Sequence, residues 1–200
     1  MTGGDDGRPT PLPLDPAVDQ ALRRALGEIQ RRGAIGGGPI DDAIEHARHF
    51  VAAIPAAVAP GATLVDLGSG GGLPGLVIAA DRPDLRITLV ERRAKRVDLL
   101  AYGVRLLDAD ARVEVIGGDV ATVVAARPRS FDVVTARSFA PPPVLGPIAR
   151  DLLVSSGVLL VSEPPGDDDR WPVDLLTTCQ LVDDGRIGAV RRLRRVPTTG

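Results

Sequence analysis

The sequence is poor in three kinds of residue that often carry function: cysteine, lysine and the aromatic residues. Cys179 is the only cysteine, which excludes a disulfide within the chain and any zinc site built from several cysteines. The opening residues lack the basic and apolar regions of a signal peptide, and there is no run of about 18 apolar residues that could cross a membrane. These absences predict a cytoplasmic protein with no membrane contact and no bound metal.

Charge gives no simple indication of a partner. The 24 basic and 26 acidic residues leave a formal net charge of −2, so the average charge does not indicate a nucleic-acid-binding protein. Lys95 is the sole lysine, and arginine is concentrated in two clusters, at 92–96 and at 191–195. Either cluster could contact RNA phosphates, although a run of charge is more often a solvated face.

The chain is predicted to have three parts. Residues 1–14 are rich in proline, glycine and aspartate, and we expect them to form a disordered arm because they hold too little apolar surface to fold. Residues 15–61 carry two helical patterns, the second of which is predicted to be capped by Asp41 or Asp42. They are predicted to form an N-terminal helical cap. Residues 62–200 form the main domain.

In the main domain, short apolar runs alternate with helical patterns. This alternation is typical of a parallel sheet covered by helices on both faces. The chain closes with a predicted antiparallel hairpin over residues 179–196, interrupted at Asp183-Asp184-Gly185. We therefore predict an α/β, Rossmann-like fold with a mostly parallel seven-stranded sheet and a C-terminal antiparallel hairpin. The first five predicted strands are 63–67, 86–90, 112–116, 131–136 and 157–162.

The most informative stretch is Leu64–Gly75, in which an apolar run stops at Asp66 and breaks into five glycines. Glycines without a Cβ let a ligand lie against the backbone, while amides at the start of the next helix face it. A glycine loop alone is a weak signal, because dinucleotide enzymes and methyltransferases both use one. Glu91, which ends the next apolar run, favours a ligand that contains a ribose, since a carboxylate can accept hydrogen bonds from two vicinal hydroxyl groups.

Three segments, Val65–Gly72, Val90-Glu91 and Gly118-Asp119, resemble the motif series of class I S-adenosylmethionine-dependent methyltransferases. In that fold the ligand lies across the carboxyl ends of the first strands. The resemblance implies that the first segment holds the methionine part of the cofactor, that Glu91 takes the ribose hydroxyls and that Asp119 lies beside the adenine. The implied cofactor-binding residues are Asp66, Gly68, Ser69, Gly70, Gly72, Leu73, Glu91, Arg92, Asp119, Val120 and Arg137.

A narrower resemblance is to the GidB family, whose members methylate a guanine at ring nitrogen 7 in small-subunit ribosomal RNA. It is carried by Asp66–Gly75 with its Leu-Pro-Gly ending, by Glu91–Leu100, and by Phe131–Ala140 with its Arg-Ser-Phe-Ala ending. The resemblance implies S-adenosylmethionine as the cofactor, and ribosomal RNA or the small ribosomal subunit as the partner.

The segment after the fourth strand bears on the substrate. Methyltransferases that act on exocyclic amines usually carry Asn or Asp, then Pro-Pro and an aromatic residue here, whereas this chain has Arg137-Ser138-Phe139-Ala140. A ring nitrogen already owns a lone pair, so its methylation needs mainly positioning and stacking of the base, and no general base. Arg137 is the candidate catalytic residue, through a contact to guanine or phosphate, and Phe139 is a candidate for stacking. Arg137 could instead pair with a nearby carboxylate.

Other functions stay open. A small-molecule methyltransferase would suit the sparse basic surface and a helical cap that departs from the GidB pattern. A binding module that keeps the pocket without methyl transfer is a third possibility. An NAD-dependent oxidoreductase is disfavoured, since no obvious catalytic Tyr/Lys or His/Asp pairing accompanies the loop. His46 and His49 lie three residues apart, and we expect them to serve helix packing rather than a metal site.

Overall fold

The computed structural model describes residues 14–164, 166 and 169–196, so most of the predicted arm lies outside the described residues. The strands are β1 (Thr63–Leu67), β2 (Arg86–Glu91), β3 (Val113–Gly117), β4 (Phe131–Ala136), β5 (Leu153–Ser162), β6 (Leu181–Ile187) and β7 (Val190–Arg195). The helices are α1 (Pro16–Arg31), α2 (Ile40–Ala53), α3 (Gly75–Asp81), α4 (Ala94–Leu106), α5 (Val120–Ala126), α6 (Pro142–Leu152) and α7 (Val173–Thr178). No described helix is long and apolar enough to cross a membrane.

The strands form one seven-stranded sheet in the order β3-β2-β1-β4-β5-β7-β6. Neighbouring strands from β3 to β5 pair in parallel, and β7 runs antiparallel to both β5 and β6. The chain leaves β1 towards β2 and β3 and later returns to place β4 on the other side of β1. A crevice therefore opens at the carboxyl ends of β1 and β4, where ligands of such sheets bind. The predicted mostly parallel sheet with a closing antiparallel hairpin is confirmed.

Helices cover both faces of the sheet. Successive residues of β1 point to opposite faces, and Leu64 and Val65 accordingly belong to two different apolar clusters. The first cluster joins α1 and α2 to α3, α4 and one face of the sheet, and the second joins α5, α6 and α7 to the other face. The N-terminal helices therefore extend the layer that also holds α3 and α4, with Leu22, Leu26 and Ile29 fully buried.

The C-terminal hairpin differs from the prediction in one respect. The chain turns at Gly188 and Ala189, between β6 and β7, and not at Asp183-Asp184-Gly185. The strand pairing shifts register between Asp183 and Arg186, so this stretch forms a bulge inside β6, with Gly185 at a φ of +93°. Turns and bulges both draw on glycine at positive φ, which is why the pattern alone does not separate them.

Two helices also differ from the sequence-based expectation. The cap of α2 is Pro39, so Asp41 and Asp42 lie in the first turn and neither of them caps the helix with its side chain. Their charges still suit that position, because the helix dipole is positive at its N-terminus. The sequence does not predict α7, since a helix of six residues is too short to show a helical period.

Candidate functional site

Two cavities lie side by side at the carboxyl ends of the strands. The β2 cavity, of about 430 Å³, is bordered by the ends of β1 and β2, the start of α4, the turn before α5 and the segment after β4. The β5 cavity, of about 510 Å³, is bordered by α2, the segment after β4 and the end of β5. Ser138 and Phe139 line both cavities, so the segment after β4 forms a common wall.

Gly68 is the loop glycine that lines the β2 cavity. Its φ is +66°, and a Cβ at this position would lie 2.8 Å from Cδ2 of Phe139. Any larger residue would therefore be strained in its backbone and would press on the common wall. The requirement for glycine here comes from both the turn and the close approach of the aromatic ring.

The other loop glycines serve the surrounding structure. A Cβ on Gly71 would lie 2.4 Å from Ile35 in the linker between α1 and α2, and one on Gly72 would lie 2.4 Å from Leu76 of α3. A Cβ on Gly75 would meet Leu89 at 2.5 Å and the Asp66 carboxylate at 2.8 Å. Much of the glycine pattern therefore reflects close packing of chain segments rather than open space for a ligand.

Glu91 is buried at the end of β2 and lines the β2 cavity. Its Oε2 accepts the Gly70 backbone N–H at 3.0 Å, and its Oε1 accepts the Arg93 backbone N–H at 2.8 Å. The carboxylate thus joins the glycine loop to the start of α4. Each oxygen has two lone pairs, so one acceptor site on each remains for a pair of hydroxyl groups.

Asp66 is fully buried beneath the loop and does not line either cavity. Its Oδ1 accepts the Thr135 hydroxyl at 2.7 Å, whereas Oδ2 has no hydrogen-bond partner among the described residues. Burial raises the pKa of Asp66 to about 6, against the opposing effects of the Thr135 and Ser69 hydroxyls, the nearby Gly75 backbone amide and the Arg137 charge. A cation or other donor brought to this carboxylate would favour its ionised form.

Asp119 lines the β2 cavity and also caps α5, where its Oδ1 accepts the Ala121 backbone N–H at 2.8 Å. The capping role, which the Gly-Gly-Asp sequence also allows, is therefore present and leaves the second carboxylate oxygen available. Arg92 and Val120 border the same cavity. The residues that the sequence singled out as cofactor-binding and that meet around this cavity are Gly68, Glu91, Arg92, Asp119 and Val120.

Several predicted cofactor-binding residues do not line this cavity. The Ser69 hydroxyl donates to the Asp66 carbonyl at 3.0 Å, and the Ser69 N–H donates to the Val90 carbonyl at 2.9 Å, which joins the ends of β1 and β2. Leu73 belongs to the apolar core. Ser69, Leu73, Gly70 and Gly72 therefore support the course of the loop without lining the cavity. Their direct contact with a ligand stays a prediction.

Arg137 lines the β5 cavity and is half-buried. Burial lowers the pKa of Arg137, and the nearby Asp66 charge raises it. Within the described part of the chain, Arg137 lines the cavity and forms no salt bridge with a carboxylate. The adjacent Ser138 has a φ of +52°, an uncommon conformation for a residue other than glycine.

Three residues of the β5 cavity are not predicted as site residues by the sequence: His46, Glu163 and Trp171. His46 reaches the cavity from α2, and burial together with the Arg137 charge lowers its pKa. Glu163 follows β5 and accepts a hydrogen bond from Trp171 Nε1 at 2.8 Å. A strand-end acid such as Glu163 resembles Glu91 in its position, which is the one sequence signal that could have drawn attention to it.

The two basic clusters differ in how far their charge is neutralised. At the start of α4, Arg92, Arg93 and Lys95 are exposed, and no salt bridge involves them within the described ranges. In β7, by contrast, Arg191 pairs with Asp169 and Asp183, Arg192 pairs with Asp184, and Arg195 is buried. The surface beside the β2 cavity is therefore the more strongly positive of the two.

The family model described as GidB, rRNA small subunit methyltransferase G, matches residues 45–164. Ribosomal RNA small subunit methyltransferase G of Salinispora tropica is 41% identical over 119 residues, which cover 56% of this chain and 49% of that protein. The protein of the same name from Rhizorhabdus wittichii is 35% identical over 177 residues, 83% of this chain and 79% of that protein. The chain thus spans only about half the length of the Salinispora relative.

The crystal structure of a putative O-methyltransferase from Klebsiella pneumoniae is similar in fold, with a TM-score of 0.60. The similarity covers 94% of this chain and 92% of that one, at 14% sequence identity. At this identity the likeness concerns the fold alone. Within the described residues, no group of three or more His, Cys, Asp or Glu side chains is placed to hold a metal ion.

Proposed function

The chain belongs to the GidB family, and from this premise we propose that it is an S-adenosylmethionine-dependent methyltransferase that acts on guanine N7 in small-subunit ribosomal RNA. The observation that carries the proposal is the pair of adjoining cavities with a common wall at Ser138 and Phe139. A cofactor in the β2 cavity and a base in the β5 cavity would meet at that wall.

The side chains of the β2 cavity fit the cofactor. Glu91 keeps one acceptor site on each oxygen for the two ribose hydroxyls, and Asp119 keeps one carboxylate oxygen that its helix-capping bond does not use. Asp66 lies beneath the loop and outside the cavity lining, and its buried negative charge would favour the cationic amino group of the methionine part through the loop rather than by contact. Gly68 has no side chain, so a ligand can approach its backbone closely.

When bound, the cofactor supplies an electrophilic methyl group on a sulfonium, which a guanine ring nitrogen can attack with its own lone pair. No proton has to leave the base, so the described residues need not provide a general base. Phe139 is suited to stack on the base from the common wall, and Arg137 to donate to the guanine O6, an acceptor that neighbours N7. Both residues act by positioning the base.

Contact with ribosomal RNA is supported by the exposed cations at the start of α4. Arg92 and Arg93 border the β2 cavity and lie on the surface, where they could neutralise phosphates next to a bound base. The ion-paired arginines of β7 are less suited to this role. A protein that modifies ribosomal RNA works where ribosomes are assembled, so the proposal includes a cytoplasmic location.

A small-molecule methyltransferase is the second candidate, and the neutralised arginines of β7 favour it because they reduce the basic surface available to RNA. The two functions differ in the acceptor of the methyl group.

The test is transfer of a labelled methyl group to undermethylated small ribosomal subunits, to naked ribosomal RNA and to a metabolite extract in parallel. We expect label in the small subunits, recovered as 7-methylguanine after digestion. Label in the metabolite fraction alone would refute the ribosomal substrate and retain the methyltransferase. Binding of S-adenosylmethionine without transfer to any fraction would indicate a binding module instead.

A further inference from the structure

The β5 cavity holds a buried carboxylate that the methyl transfer does not use. Glu163 follows the end of β5, and its side chain is 5% exposed. Trp171 Nε1 donates to Oε1 at 2.8 Å, and Arg170 Nη1 donates to Oε2 at 3.2 Å. The carboxylate is therefore held in a fixed orientation by one donor on each of its oxygens.

This carboxylate retains the capacity to bind a ligand. An ionised carboxylate offers about four acceptor sites, so one site on each oxygen remains after the bonds from Trp171 and Arg170. Glu163 is the sole carboxylate among the described residues that line the β5 cavity, whereas Arg137 supplies donors to the same cavity from the end of β4. The cavity thus combines a pair of donors with a pair of acceptors.

A guanine matches this combination. Its N7 and O6 accept hydrogen bonds along one edge, and N1–H and the 2-amino group donate along the edge on the other side of the ring. When N7 is directed towards the β2 cavity, the donating edge is turned away from that cavity. Adenine has no donor at position 1 or 2, so the two remaining acceptor sites of the Glu163 carboxylate would receive no hydrogen bond from it.

We propose that Glu163 selects guanine in the β5 cavity by accepting hydrogen bonds from its N1–H and 2-amino groups. The assignment rests on the proposed function for the orientation of N7, but it makes a separate claim about base recognition. It gives Glu163 a role that is distinct from anchoring the segment that carries Arg170 and Trp171.

Trp171 provides a direct readout, because it is the only tryptophan of the chain and lies at the β5 cavity. The full chain is saturated with S-adenosylhomocysteine, so that nucleotides cannot occupy the β2 cavity, and is then titrated with guanosine, inosine or adenosine monophosphate while tryptophan fluorescence is followed. Inosine lacks only the 2-amino group. We expect guanosine monophosphate to bind about tenfold more tightly than inosine monophosphate, and adenosine monophosphate more weakly still.

The decisive variant is Glu163→Gln, which keeps an acceptor for the Trp171 indole and replaces the second acceptor with a donor. We expect the ratio of guanosine to inosine affinity to fall to about one. Glu114→Gln is the matched control, since Glu114 is also paired with an arginine, Arg127, but lies on the exposed surface outside both cavities. It should leave the ratio unchanged.

The outcomes separate this inference from the proposed function. The role of Glu163 is refuted if the unmodified chain binds the guanosine and inosine nucleotides with equal affinity. It is also refuted if the Glu163→Gln variant keeps the preference for guanosine. Both results would hold even if small ribosomal subunits are methylated. A lowered unfolding midpoint of Glu163→Gln with an unchanged affinity ratio would mean that Glu163 only anchors Arg170 and Trp171. Absence of methyl transfer to RNA, with the predicted change in ratio, would refute the proposed function and retain guanine recognition.

Discussion

The β2 and β5 cavities each hold a buried glutamate at the end of a strand, but the two carboxylates are fixed by different means. Glu91 accepts the backbone amides of Gly70 and Arg93, which belong to the loops that follow β1 and β2. Glu163 accepts the side chains of Arg170 and Trp171, which follow it along the chain. The first carboxylate is held by backbone groups, and the second is held by side chains.

This difference affects how each cavity can vary. A backbone site tolerates changes of side chain as long as the loop keeps its course, so its chemistry is tied to glycine positions such as Gly68. A side-chain site changes its chemistry whenever one lining residue is replaced. The β2 cavity is therefore suited to an invariant ligand such as a cofactor, and the β5 cavity to a substrate that sets the specificity of the protein.

We expect the largest effect from Gly68→Ala, because the added side chain would contact Phe139 in the common wall and so alter both cavities. The added Cβ would lie 2.8 Å from Phe139 at a φ of +66°, so the ring or the loop must move. We expect at least a ~100-fold loss of S-adenosylhomocysteine affinity by calorimetry, with loss of guanosine monophosphate binding. Gly36→Ala, a position with nothing within 4 Å of the added atom, is the control. Affinity of Gly68→Ala within threefold of the unmodified chain would contradict this.

Glu91→Ala tests whether the two cavities are independent. Loss of two acceptors for the ribose hydroxyls should cost about 2 kcal/mol, or roughly 30-fold in S-adenosylhomocysteine affinity, with Glu91→Gln intermediate. The guanosine to inosine ratio, measured by Trp171 fluorescence at saturating S-adenosylhomocysteine, should not change. A change in that ratio would show that the β2 cavity also controls base selection.

Because of Asp66, we expect ligand affinity at the β2 cavity to depend on pH, whereas ligand affinity at the β5 cavity should not. Since burial raises the pKa of Asp66 to about 6, its ionised fraction falls below that pH. If cofactor binding depends on the ionised carboxylate, S-adenosylhomocysteine affinity should drop about tenfold between about pH 7 and pH 5. Asp66→Asn should bind more weakly at pH 7 and show little dependence on pH. An unchanged pH profile in Asp66→Asn would exclude Asp66 as the titrating group.

The raised pKa of Asp66 also affects the free energy of unfolding. An acid whose pKa is higher in the folded state than in the unfolded state destabilises the fold when it is ionised. For Asp66 this loss of stability is therefore present above about pH 6, and it vanishes as the pH falls towards 3.8, the ordinary pKa of an aspartate. Asp66→Asn should therefore raise the free energy of unfolding at pH 7, by up to about 3 kcal/mol, measured by denaturant titration without ligand.

The β2 cavity is the part of the site that could be predicted from sequence. Its parts lie close together along the chain: an acid and a glycine loop after one strand, and an acid at the end of the next. The alternation of apolar runs likewise predicts the parallel strands, with β1 and β4 matching the predicted bounds. Such patterns work because backbone geometry imposes them locally.

The β5 cavity could not be predicted in the same way. His46 and Arg137 are about ninety positions apart in the sequence, and they meet only because the fold packs α2 against α3, β6 and β7. Side-chain pairs such as Glu163 with Trp171 leave no periodic trace in the sequence. The bulge at Asp183-Asp184-Gly185 shows the same limit, since pairing across strands decides between turn and bulge.

The smallest effect is expected from His46→Ala, which alters the β5 cavity at its α2 side. The pKa of His46 is lowered by burial and by Arg137, so the imidazole is neutral at pH 7 and contributes contact surface rather than charge. We expect a loss of about threefold in kcat/KM towards small ribosomal subunits, with S-adenosylhomocysteine affinity unchanged. Glu45→Ala, an exposed neighbour on α2, is the control. A loss of cofactor affinity in His46→Ala would mean that the two cavities are coupled through Arg137, and that the division between a backbone-built and a side-chain-built site is wrong.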